Sequence, residues 1–226
     1  RHGAGCCRGQ AVCRGPRVSF DHEAFWSARY RDAGENYLFG IAPNKFLAAQ
    51  AERFGVDMTV LSVADGEGRN AVWLAEQGCR VTATEISPVA LEKAAKLAKG
   101  RHVEVDWLQA DILNWEWPLE AYDAVVGIFV QFATPAERPR QIGGMKQAVK
   151  PGGLLFLQGY TPKQLEFRTG GPSAVENLYT EAMLRELFSD WEIVSLREHE
   201  DTIEEGTAHV GRSALIDLVA RKPTGR

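Results

Sequence analysis

Val60-Leu61-Ser62-Val63-Ala64-Asp65-Gly66-Glu67-Gly68-Arg69-Asn70-Ala71 passes from an apolar, β-branched run through a glycine turn into a helical pattern. Glycines between a strand and a helix let the backbone approach a ligand with no Cβ in the way. The helix start behind them offers free N–H groups and positive potential. Gly66 to Ala71 also satisfies the dinucleotide pattern G-x-G-x-x-G/A. Asp65 and Glu67, however, put two carboxylates where a pyrophosphate would sit. A ligand with a cationic centre and no phosphate suits that charge better.

Working outward, residues 58–64 read as a strand and 69–77 as a helix closed by Gly78. Residues 80–84 read as a second strand, and 88–99 as a helix opened by Ser87 and Pro88. Strands are expected over 103–109, 121–129 and 154–159, with a helix after Thr134-Pro135. Parallel strands need crossover connections, so strands alternating with helices imply a parallel sheet. The ending differs: after a helix around 180–188, residues 191–199 and 209–220 form two extended stretches without a helix between them. They should pair antiparallel. The expected fold is α/β: a doubly wound, mostly parallel seven-stranded sheet with a closing antiparallel hairpin, and its ligand at the carboxyl ends of the strands. Upstream, residues 21–54 read as two helices, Asp21 capping the first and Pro43 to Phe54 forming the second, around an aromatic loop from Gly34 to Gly40. Residues 18–56 are thus expected to form a helical lid on one domain spanning 18–226.

Two more acids stand at strand ends. Glu85 ends the second strand, where an acid in such sheets accepts hydrogen bonds from two ribose hydroxyls. Asp111 ends the third and could accept from an adenine amino group. Each alone is commonly a solvated loop residue. Acids at three consecutive strand ends point together to a nucleoside.

Here the sequence resembles the class I S-adenosylmethionine-dependent methyltransferases, over roughly residues 20–222. The glycine loop, Thr84-Glu85-Ile86-Ser87, Ala110-Asp111, Tyr122-Asp123-Ala124-Val125-Val126, Val149-Lys150-Pro151-Gly152-Gly153-Leu154 and the closing hairpin carry the resemblance. Within that class, Phe25 to Tyr30, Tyr37 to Gly40, Pro43-Asn44, Tyr160-Thr161-Pro162 and Thr169 to Pro172 resemble the bacterial tellurite-resistance and thiopurine-methyltransferase-like group. The resemblance implies S-adenosylmethionine as cofactor, held by Tyr37, Ala64, Asp65, Gly66, Gly68, Asn70, Glu85, Ile86, Asp111, Ile112 and Ile128. It also implies methyl transfer to a small molecule, often through soft sulfur, selenium or tellurium. Ser62 stands where the class has an acid, and Ala64 where it has a glycine. Asp65, next in the loop, is expected to compensate.

A sulfonium methyl is already activated, so the protein mainly has to align donor and nucleophile. A thiol is partly ionised near neutrality, and no indispensable base is expected. Arg29, Tyr30, Arg168 and His209 are the catalytic candidates, and Trp26, Tyr37, Phe39, Phe129, Gln131, Phe132 and Tyr160 complete the expected acceptor wall. Aromatic faces suit a sulfonium and arginines an anionic acceptor. Trp107, Trp115 and Trp117 read as packing beneath the adenine.

Composition bounds the rest. The 226 residues, 45% hydrophobic and 25% charged, suit one folded domain. Arg1, Arg8, Arg14 and Arg17 stand in a first segment without acids, so the body is more acidic than the net charge of −4. An acidic body is repelled by phosphate backbones and argues against a nucleic-acid partner. Residues 1–17, with Cys6, Cys7 and Cys13, read as a disordered leader. Without a C-x-x-C pair no metal site is expected. Cys79 reads as a small buried hydrophobe. The longest apolar run, Ala124 to Val130, is far short of the roughly 20 residues a span needs, and no signal-peptide h-region is present. The expectation is a cytoplasmic protein acting on a small molecule. Two rival readings remain: a non-catalytic S-adenosylmethionine-binding regulator, and a nicotinamide-dependent oxidoreductase.

Overall fold

The computed structural model describes residues 20–225; the expected leader and its three cysteines lie outside them. Five strands precede the hairpin: β1 (Thr59–Val63), β2 (Arg80–Glu85), β3 (Asp106–Gln109), β4 (Tyr122–Ile128) and β5 (Val149–Tyr160). The hairpin is β6 (Glu192–Glu205) and β7 (His209–Arg221). The sheet order is β3-β2-β1-β4-β5-β7-β6. The first five strands pair in parallel, whereas β7 runs antiparallel to both β5 and β6. The seven-stranded mixed sheet is the one expected.

Side chains alternate across a strand, so each face builds its own core. On one face Leu61, Val63, Val125, Leu155 and Leu157 pack against α5 (Arg138–Ala148) and α6 (Glu181–Leu187) through Ile142, Met145 and Leu184. On the other, Val60, Val81, Val126 and Phe156 pack with Ala71 and Leu74 of α3 (Arg69–Glu76) and with Phe46 and Leu47. Next to α3 lies α4 (Pro88–Arg101), whose start follows the sequence rules: Pro88 sits in its first turn and the Ser87 hydroxyl accepts from Ala90 N at 3.2 Å. Gly78, at φ +88°, ends α3 as expected.

The lid is built differently from its reading. Asp21 does cap α1 (His22–Asp32), accepting from Ala24 N at 2.9 Å. The second helix is only α2 (Lys45–Ala48), capped by Asn44 and followed by a 3-10 turn over Ala51–Arg53. The hairpin also runs further than expected, as β6 extends to Glu205. That extension carries the turn at 206–208 up to the lid loop, where Thr207 N and Ala208 N both donate to the Leu38 carbonyl. Cys79 is buried, as expected.

Candidate active site

The parallel sheet reverses its strand order between β1 and β4, which opens a crevice at their carboxyl ends. A cleft lies there, floored by Ser62 to Glu67, Glu85, Ile86, Ala110 to Ile112 and Ile128, and roofed by Trp26, Tyr30 and Phe39 of the lid. The glycine loop is shaped by its backbone. Gly66 lies at φ +65°, and a Cβ there would stand 2.8 Å from the Tyr30 hydroxyl.

The acids of the loop divide their work. Asp65 turns back to Ser62, whose hydroxyl donates to its Oδ1 at 2.5 Å, while Ala71 N donates to Oδ2 at 3.3 Å. Burial pushes its carboxyl up to about 7, against the pull of those two donors. The loop thus holds a carboxyl group beside residue 62 although serine occupies that position. Glu67 goes elsewhere: it pairs with Lys93 of α4 and accepts from Leu38 N at 2.6 Å, so it fastens the lid. Glu85 accepts from Gly66 N and Ser87 N, both at 2.9 Å, and burial raises its carboxyl. Asp111 accepts from Leu113 N at 3.0 Å and from the Asn114 side-chain amide at 2.6 Å while lining the cleft.

Most of the residues expected around a cofactor meet here: Ala64, Asp65, Gly66, Asn70, Glu85, Ile86, Asp111, Ile112 and Ile128 line one cleft. Two do not. The Tyr37 hydroxyl donates to the Lys93 carbonyl at 3.1 Å, so the ring packs on α4 instead of facing the cleft. Gly68, at φ +90°, is demanded by packing: a Cβ would stand 2.7 Å from that of Ala94. Among the catalytic candidates, Tyr30 and His209 line the inner cleft, and Arg29 and His209 line a larger outer cavity that continues from it. Arg168 is exposed and lines neither. Gln131 borders the outer cavity, but its amide is used up bridging Tyr160 N and O. None of the three tryptophans lines the cleft; Trp107 packs on Gly68, and Trp117 on Gly144 of α5.

Sequence reasoning missed a buried polar cluster at the mouth. Arg69 donates to Glu205 Oε2 at 2.7 Å, and both side chains are under 10% exposed. Asn44 bridges Glu205 and Gln158 at 3.1 and 2.6 Å. The other terminal nitrogen of Arg69 is buried without a partner, at the edge of the cleft. Residues 44, 69 and 205 are far apart in sequence, so no local pattern announces the cluster.

The comparisons with known proteins follow this geometry. Residues 60–153 match a family described as a methyltransferase domain. Over that stretch the chain is similar to methyltransferase domains. Demethylmenaquinone methyltransferase of Thermus thermophilus is 32% identical over 105 residues, 46% of this chain and 47% of the relative. Carboxy-S-adenosyl-L-methionine synthase of Yersinia enterocolitica is 25% identical over 122 residues, 53% of this chain and 44% of the relative. The chain therefore spans just under half the length of these relatives. In fold, it is similar to a protein solved in connection with the conversion of a disulfide bond into a thioacetal group in echinomycin biosynthesis. That likeness has a TM-score of 0.75 at 19% identity, covering 91% of this chain and 95% of the other. TehB of Haemophilus influenzae follows with a TM-score of 0.66 at 20% identity, over 88% of this chain and 66% of that one. The resemblance to S-adenosylmethionine-dependent methyltransferases of class I thus holds for the domain family and the fold.

The cleft fits that cofactor. Its walls carry Asp65, Glu85 and Asp111, and Arg69, the arginine among the described residues that line it, has its charge balanced by Glu205, so a pyrophosphate would meet no net positive charge. A nucleoside with a cationic centre and an amino-acid tail finds carboxylates at strand ends and one unpartnered guanidinium nitrogen. No group of acids, histidines and cysteines able to hold a metal occurs among the described residues, and no described helix is long and apolar enough to cross a membrane.

Proposed function

We propose that this protein transfers the methyl group of S-adenosylmethionine to a small molecule with a soft nucleophile, a thiol or a selenium or tellurium centre. One observation carries the reading: a glycine loop, Glu85 and Asp111 close one cleft at successive strand ends, and that cleft opens into a separate aromatic cavity. Glu85 receives the ribose hydroxyls, Asp111 the adenine edge, and Asp65 with the free nitrogen of Arg69 the methionine end. The donor supplies an activated methyl. The protein supplies alignment and a water-poor aromatic wall of Trp26, Phe39, Phe129 and Phe132. The wall suits a small apolar acceptor better than a nucleic acid or a membrane.

Titration calorimetry with S-adenosylhomocysteine tests this reading. Binding is expected, and Glu85→Ala should weaken it about tenfold or more, through loss of charge-assisted hydrogen bonds of roughly 1.5–3 kcal/mol. Wild-type protein that binds neither S-adenosylhomocysteine nor S-adenosylmethionine would end the proposal. Ser62 and Ala64 favour a second reading, a protein that binds the donor without using it. Labelled donor incubated with thiols, selenite and tellurite separates the two.

A further inference from the structure

The passage between the two cavities is narrow and mostly aromatic. Trp26, Phe39, Phe129 and Phe132 line both, together with His22, Asp111 and His209, the first residue of β7. The His209 ring is held edge-on to Phe129 at 4.8 Å and to Tyr160 at 5.8 Å, with Phe39 at 4.6 Å on another side. Its side chain is 11% exposed, and its Nδ1 faces Glu205 Oε2 at 3.6 Å. That distance exceeds a hydrogen bond, and Nδ1 has no other partner. Among the described residues no hydrogen bond engages Nε2, the atom at the far side of the ring.

We propose that His209, backed by Glu205, takes the proton from a neutral acceptor whose nucleophile is an S–H on an apolar, aromatic-faced body. This rests on the methyl-transfer reading and narrows its acceptor. Three observations support it. First, a histidine with a carboxylate behind Nδ1 keeps Nε2 available as a base, because the negative charge at 3.6 Å favours the proton on Nδ1 and stabilises the imidazolium once formed. Second, Glu205 is itself pinned by Arg69 at 2.7 Å and by Asn44 at 3.1 Å, so it cannot swing away. Third, no Lys or Arg stands among the described residues that line the passage: Arg29 and Arg140 border only the outer cavity, where Arg29 stacks over Phe25 and Trp26 at 5.7 and 5.0 Å. An anionic acceptor such as an oxyanion would meet aromatic rings and Glu205 there.

The charged and titratable groups around His209 come from four elements: Glu205 from β6, Arg69 from α3, Arg29 from α1 and Tyr160 from β5. Burial lowers the imidazole, Glu205 opposes that, and Arg69 and Arg29 add to it, so the ring is neutral at physiological pH. In the reaction the acceptor sulfur bonds to the methyl carbon as the sulfonium C–S bond breaks. The electron pair of that bond stays on the donor sulfur. The acceptor proton moves to Nε2, and the imidazolium later releases it to water through the outer cavity.

The test compares His209→Asn with wild type in the full chain, using labelled S-adenosylmethionine and two probes. One, 4-nitrothiophenol, is a thiolate at neutral pH; the other, 2-phenylethanethiol, is not. Turnover of the neutral thiol should fall about 100-fold in the variant, turnover of the thiolate less than threefold, and added imidazole should restore part of the loss. Equal losses on both probes overturn the proposal. A second readout needs no turnover: in the S-adenosylhomocysteine complex, the nitrogen-15 spectrum should show His209 as a neutral ring protonated on Nδ1. A ring protonated on Nε2, or an imidazolium, at neutral pH overturns it whichever acceptor is used. Failure to bind S-adenosylhomocysteine would instead overturn the methyl-transfer reading.

Discussion

At the residue scale, the loop around Ala64 shows how one site tolerates two departures from its family's pattern. Ala64 sits at φ +49°, the left-handed region that glycine occupies without strain. The strain costs an L-residue about 1–2 kcal/mol, partly offset because alanine loses less chain entropy on folding than glycine. Ala64→Gly should therefore raise stability by about 0.5–1 kcal/mol, visible as a melting temperature higher by about 2 °C. An unchanged or lower value would mean the loop is not strained. Asp65 supplies the second case. Its carboxyl, pushed to about 7, is largely protonated in the free protein below neutrality. If the α-ammonium of the ligand's amino-acid end binds beside it, the ionised form is favoured and a proton leaves. Affinity for S-adenosylhomocysteine should then rise as pH increases through 7. Calorimetry in buffers of different ionisation enthalpy should report proton release, which Asp65→Asn abolishes.

The same residues show what could be read in advance. Gly66, Glu85 and Asp111 were legible because strand ends in a doubly wound sheet have fixed neighbours. Tyr37, Gly68 and Arg168 were not, because these positions answer to α4, to the close approach of Ala94 and to solvent, none of which leaves a periodic trace. Asp65 and Glu67 looked equivalent, two carboxylates on one loop. Only the fold directs one inward to Ser62 and the other outward to Lys93.

At the element scale, the lid is latched at one point of α4. Lys93 pairs with Glu67, donates to the Asn36 carbonyl at 2.6 Å and lies 3.4 Å from that of Tyr30. Ser27 and Ser87 add a hydroxyl contact at 2.8 Å between α1 and the start of α4. Both members of the ion pair are buried, and removing one leaves the other charge uncompensated at a cost of about 3 kcal/mol. Lys93→Met should lower stability by about that amount, and Glu67→Gln combined with it should recover part. Amide exchange should accelerate in α1 before it does in β1. Equal acceleration in both would mean that the lid is no separate unit. The sequence led to the expectation of a lid but gave no sign of this latch, since Glu67 and Lys93 belong to elements joined only by packing.

At the scale of the whole molecule, three distant parts meet over the cleft: Asn44 before α2, Gln158 on the central sheet and Glu205 at the tip of the hairpin. Gln158 also donates to Asp217 at 2.6 Å, and His199 closes the chain onto Asp217 at 2.8 Å. Burial works to raise Glu205, yet His209 and Arg69 hold it at about 2, so it folds in as an anion. Because its folded value lies below the unfolded one, it contributes stability above the ordinary carboxylate range that is lost as pH falls toward 2. The tip is fixed on its other side by Gly206, at φ +64°, where a Cβ would run into the Leu38 carbonyl and the Gly40 nitrogen. Gly206→Ala should therefore displace the turn from the lid loop and cost about 1–2 kcal/mol from the left-handed backbone alone. Lid and hairpin tip both close the same cleft, so that loss should overlap with the Lys93→Met loss instead of adding to it. Chemical denaturation of the two single variants and the double one measures the overlap. Distant independent sites add to within about 0.5 kcal/mol, so a double variant that is more stable than the sum by over 1 kcal/mol shows one closure built from two elements. Strict additivity would show that the lid is held by α4 alone and that the hairpin only shapes the outer cavity.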